Sequence, residues 1–156
     1  MGLGFKISEL NGTFHLSGVM DEHSDYYPIV SSGRPAKLNV RDVQQVNSLG
    51  VALFIRFLRD LGASPWELHE ASSALLEMIN SIPATLGTPP KPDRVKSIMV
   101  PYWCLTCRKE SEKLLPQTAF ASCTEHFPKA KCDTCGEIVE ASADPDDLLV
   151  FLTCLD

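Results

Sequence analysis

Four of the six cysteines in this chain fall into two pairs with the same interval, Cys104-Leu105-Thr106-Cys107 and Cys132-Asp133-Thr134-Cys135. A two-residue interval turns the backbone tightly enough to set both sulfurs on one side. Two such pairs joined by a loop have the spacing of a tetrahedral zinc site. Here 24 residues, 108–131, separate the pairs, and Gly136 follows the second, where the chain must bend back without crowding. Four thiolates would hold one Zn2+ ion and close its coordination sphere, leaving no position for a catalytic water. The expected role of the ion is therefore structural. Thiol–disulfide exchange by a single CxxC is the competing chemistry, and the presence of two pairs argues against it. Cys123-Thr124-Glu125-His126 also has ligand spacing, so Cys123 with His126 forms an alternative donor pair; a free cysteine beside a surface histidine is the plainer account. Cys154 follows the apolar run 148–152 and is expected to be a buried thiol.

Beyond the cysteines the chemistry is sparse. His15, His23, His69 and His126 stand in unlike contexts and suggest no triad with a serine or cysteine, so no catalytic residue is expected. The formal charge is −6, and it is unevenly spread. Residues 1–98 carry 9 Lys and Arg against 10 Asp and Glu, a net of −1; residues 99–156 carry 5 against 10, a net of −5. Phosphate binding depends on cations, so the acidic cysteine-bearing part is a poor match for nucleic acid. No apolar run approaches the roughly 18 residues of a membrane span, and the first residues lack a basic and apolar leader. A cytoplasmic protein with no direct membrane insertion is expected, and clustered cysteines in that compartment read as metal ligands.

The elements that must position these residues are legible from periodicity. Residues 5–10 and 14–19 each alternate apolar and polar side chains around Asn11-Gly12, the pattern of a tight β-hairpin. Residues 37–40 form a short strand, and 44–47 lead into a helix over 48–61, with Ser48 as its N-cap and Gly62 in the left-handed position beyond its end. On that helix Val51, Phe54, Ile55, Leu58 and Leu61 share one side, and Leu53 and Phe57 widen the apolar stripe beyond what one sheet face covers. Arg56, Arg59 and Asp60 occupy the remainder. A strand is expected at 66–69, a second amphipathic helix at 72–82 ended by Pro83, a loop at 85–94 and a strand at 95–100. Segment 24–30 has weak helical spacing interrupted by Pro28. The class is α/β (α+β): a mixed sheet over residues 1–98 with helices packed on one face, followed by a small β-rich module over 99–156.

This order, with LNVRDVQQVNSLGVALFIRFLRDL at its centre, resembles the STAS domain of anti-sigma-factor antagonists over roughly residues 4–100. CLTC and CDTCG, within 99–141, resemble a zinc ribbon. The resemblance implies a bacterial regulatory protein that does no chemistry and works by binding a protein partner, such as an anti-sigma or histidine-kinase-like regulator. Family members can be phosphorylated in an Asp-Ser-Ser/Thr-Gly motif. Alignment on Gly50 places Asn47 on the aspartate, Ser48 on the first hydroxyl residue and Leu49 on the phosphoacceptor, and leucine cannot take a phosphate. The family's switch is thus expected to be lost. Phosphorylation of Ser48 is the lesser alternative, motivated by its place at a helix N-terminus.

The expected partner surface comprises Asn47, Ser48, Leu49, Leu53, Arg56 and Phe57. Self-association through the same helix, or simple coverage of its apolar side by the chain's own loops, are the other accounts of the wide stripe. Alternative functions are nucleic-acid binding through Tyr102, Trp103, Arg108 and Lys109 of the ribbon, or service as an accessory STAS subunit of a membrane transporter.

Overall fold

The computed structural model describes residues 4–62 and 64–153; Cys154 lies outside them. Asn11 and Gly12 adopt φ of 51° and 78°, the pair of positive values that a primed two-residue turn requires. They join β1 (Lys6–Leu10) to β2 (Thr13–Met20) in antiparallel register, Leu10 opposite Thr13. Every second residue of β2 is buried: Phe14, Leu16, Gly18 and Met20. Pairing continues in parallel to β3 (Ala36–Val46) and from there to β4 (Trp66–His69), giving the order β1-β2-β3-β4. β3 is longer than the strand expected at 37–40. Its second half holds the exposed residues Arg41, Asp42, Gln44 and Gln45, which carry no apolar signal. That half is held by β2 through two register shifts, between His15 and Ser17 and between Gly18 and Val19.

The buried face of this sheet is covered by α2 (Ser48–Asp60) and α3 (Ser73–Ser81), whose Phe54, Phe57, Leu58, Leu75, Leu76 and Ile79 join its core. His15, Ser17, Asn39 and His69 line the other face, where His69 pairs with Glu67 at 2.8 Å. α3 starts from Ser72, whose hydroxyl accepts the Leu75 N–H, and Gly62 lies just past the end of α2 at φ 60°. A short helix, α1 (Tyr27–Val30), takes Pro28 in its first turn, where no N–H is needed.

The sheet ends at β4, but its edge is tied to the segment that follows. β5 (Ser97–Cys104) approaches it through the parallel bridges Leu68–Val95 and Ala71–Ile98. It then runs into a second, antiparallel sheet in the order β6-β5-β8-β7, with β6 (Lys109–Pro116), β7 (Ala130–Lys131) and β8 (Ile138–Ala141). The boundary expected between residues 98 and 99 therefore falls inside one strand, and the buried apolar residues on both sides of it form one cluster. Two further short helices, α4 (Gln117–Phe120) and α5 (Pro145–Leu148), close the C-terminal part, where Phe120 meets Phe151 edge-on at 6.2 Å. Asn80 on α3 fastens this end. Its amide donates to the carbonyls of Asp147 and Leu148 and accepts the Phe151 N–H.

The entrance of α2 is the tightest approach in the fold. A Cβ on Gly50 would lie 2.0 Å from the Met20 carbonyl oxygen, and the Asn47 N–H donates to that same oxygen at 3.0 Å. Gly50→Ala must push the helix off β2 and is expected to cost about 3 kcal/mol, as overpacking does. Asn80→Ala leaves three backbone groups without their partner and is expected to cost about 2 kcal/mol. Urea unfolding of each variant against the parent chain measures both losses.

Candidate functional site

The first cysteine pair closes the end of β5 and the second lies between β7 and β8. Each forms the same turn. The Arg108 N–H donates to the Cys104 carbonyl at 2.8 Å, and the Gly136 N–H donates to the Cys132 carbonyl at 2.9 Å. Both residues that follow the pairs are left-handed, Arg108 at φ 54° and Gly136 at φ 76°. Two matching loops thus face each other and bring the sulfurs of Cys104, Cys107, Cys132 and Cys135 within 4.8 Å of one another. Cys104 and Cys135 are 3.6 Å apart and Cys107 and Cys132 are 4.0 Å apart. Metal–sulfur bonds of about 2.3 Å in a tetrahedron give edges of about 3.8 Å, whereas a disulfide would need about 2.05 Å. These four cysteines could bind a metal ion.

The electrostatics favour the same use. Backbone N–H groups of Cys135 and Thr134 hold the Cys132 thiol down at about 6. Cys107 is pushed up to about 12, first by its hydrogen bond with Cys135 and then by burial. Thiols this close resist joint ionisation, because each thiolate opposes the next, unless a cation offsets the charge. The Cys107 N–H also points at the Cys104 sulfur, at 3.4 Å, the kind of donor that stabilises a metal-bound thiolate. Lys113 on β6 reaches Asp133 at 2.6 Å and ties the second loop to the sheet.

The alternative donors do not join. Cys123 donates its thiol proton to the Ala119 carbonyl at 3.3 Å, and His126 is exposed; neither belongs to the four-sulfur group. The end of α4 engages the cysteine thiol locally. Tyr102, expected in a stacking site with Trp103, is instead buried, with its hydroxyl donating to the Pro128 carbonyl. Strand alternation sends it to the opposite side from Trp103, which remains 43% exposed.

At the other candidate site, the N-cap of α2 is Asn47, not Ser48. The Asn47 side-chain oxygen accepts the Gly50 N–H at 2.7 Å, while Ser48 is already the first helical residue. The cap needs extended backbone angles, and the strand that feeds the helix supplies them at position 47. Asn47, Ser48 and Leu49 are exposed, and Leu49, Leu53 and Arg56 follow one another at helical spacing along one side. Phe57 is not part of that surface. Tyr26, just before α1, stacks on its ring at 4.4 Å and leaves it 3% exposed. The wide stripe on α2 is therefore largely covered by the chain itself. Burial raises the Tyr26 hydroxyl's pKa, with Ser24 opposing the shift.

No protein-family model, curated protein or solved structure matches this chain. No helix among the described residues is long and apolar enough to cross a membrane.

Asn47→Ala is expected to destabilise the chain by about 1 kcal/mol through loss of the cap, whereas Ser48→Ala stays within a few tenths. Arg108→Gly relieves a left-handed side chain and is expected to raise stability by about 0.5 kcal/mol. Thermal unfolding of the three variants ranks them; equal effects at 47 and 48 would contradict the cap assignment.

Proposed function

We propose that this chain is a non-enzymatic regulatory adaptor: a STAS-like domain that binds a protein partner, carrying a zinc-ribbon-like module whose single zinc ion is structural. The observation that carries the adaptor role is Leu49, 56% exposed at the mouth of α2. It stands where the STAS resemblance puts the phosphoacceptor. An exposed leucine beside a capped, glycine-pinned helix start is a rigid apolar contact, and Leu53 and Arg56 extend it along the helix. The family's phosphate-driven release is lost in this reading, and contact through α2 is constitutive. The partner is a protein of the anti-sigma or histidine-kinase-like kind, or a second copy of the chain.

Zinc is favoured over other metals by the donor set. Four thiolates in a tetrahedron suit zinc or iron, and a closed sphere suits a structural ion. The acidic balance of the module weighs against nucleic acid. Tyr102, one of the two rings that a stacking platform would use, is in the core.

Two measurements test this. Elemental analysis of purified protein should give one zinc per chain, falling to near zero in Cys104→Ser/Cys132→Ser; iron, or no metal, would contradict the assignment. Affinity capture from the native cell should yield a protein that is retained by the parent chain and lost by Leu49→Asp/Arg56→Glu. An identical set of captured proteins with both baits would remove α2 from the function.

A further inference from the structure

A second surface lies on the metal-bearing sheet, and its chemistry differs from that of α2. Trp103 on β5 faces Glu110 on β6 and Glu140 on β8, and one step along the strands Pro101 faces Glu112. Directly opposed residues project to the same side of a sheet, so these side chains share one face. Trp103, Leu105 and Ile138 line a groove of about 640 Å³ on this face, with Glu137, Glu140 and Lys129 at its margin. Leu105 is 85% exposed and Ile138 62% exposed. An indole and two aliphatic side chains left open together, rimmed by charge, are the composition of a protein contact.

The charge around the groove selects the partner. Glu110 and Glu112 make no ion pair among the described residues, and Glu140 has only the exposed Lys129, at 3.2 Å. The unpaired carboxylates sit at alternate positions of one strand, about 7 Å apart, which is also the interval between alternate side chains of an extended peptide. A cation beside an exposed indole face gains a further attraction. We infer that this face binds an extended basic segment of another protein, with lysine or arginine at alternate positions against Glu110 and Glu112 and an aliphatic side chain inserted beside Trp103. The surface is separate from the α2 contact.

The test uses the full, metal-loaded chain. Trp66, the other tryptophan, is buried beneath Arg94, so a change in emission reports on Trp103. A synthetic peptide of alternating lysine and valine should give a saturable shift that weakens as salt rises. Glu110→Gln/Glu112→Gln should weaken binding about tenfold. Both positions are exposed, and retained metal content in the variant reports that the module is intact. Leu49→Asp should leave the peptide response unchanged, which separates this face from the α2 surface. The inference is overturned by no saturable response, by an equal response to a glutamate–valine peptide, by unchanged affinity in the double variant, or by preferential binding of single-stranded DNA. Dimerisation in sedimentation that is lost in Trp103→Ala would also overturn it, by assigning the face to a second copy.

Discussion

β5 is the strand on which the rest of the structure depends. Isolated bridges at and just before its start tie it to the edge of the N-terminal sheet, its first four residues are buried, and its last residue is Cys104. Much of the arrangement C-terminal to it is built on that one strand. β6 returns along it, β8 pairs with its far end, and the second cysteine loop is brought opposite the first by the β7–β8 pairing. Because isolated bridges tie the start of β5 to the edge of the first sheet, the apolar residues of the two parts close over a single core. Four sulfurs that are distant in sequence then meet at the end of a rigid element and not on a loose loop. The Asn80 clamp completes the arrangement by fixing the C-terminal turn against α3.

The two candidate sites are rigid for different reasons. At the entrance of α2, a glycine with no room for a side chain, a backbone bond to Met20 and an asparagine cap hold Asn47, Ser48 and Leu49 in one geometry. At the cysteines, two matching loops and their N–H···S contacts hold the four sulfurs within 4.8 Å of one another. One presents exposed surface and the other a set of coordinating sulfurs. These features support the proposed reading of a binding protein whose four cysteines hold a structural ion.

Much of this was legible in the sequence because local chemistry decides it. Asn11-Gly12 specifies its turn, Gly62 marks a helix end, and the paired CxxC spacing marks the four-sulfur group. What stayed hidden depends on tertiary context. The shift of the cap from Ser48 to Asn47 is a single residue, set by where extended backbone gives way to helix, and both residue types make good caps. Phe57 reads as surplus apolar area on a helical wheel, since nothing local says that Tyr26 will stack on it. Cys123 and His126 have acceptable spacing, but the α4 turn engages the thiol with Ala119. The boundary drawn at residue 98 followed a change in composition, while the strand itself runs through it. The acidic face around Trp103 had no signal of its own, because Glu110, Glu112 and Glu140 come together only through the register of three strands.

In the proposed reading the four cysteines and β5 are one structural unit, with a bound ion holding the far end of the strand. Amide hydrogen exchange, with and without complete removal of the metal by a chelator, tests this most directly. The expected result is loss of protection at residues 101–108 and along β8, with β2 and β3 retaining theirs. Unchanged protection throughout the chain after verified metal loss would contradict it.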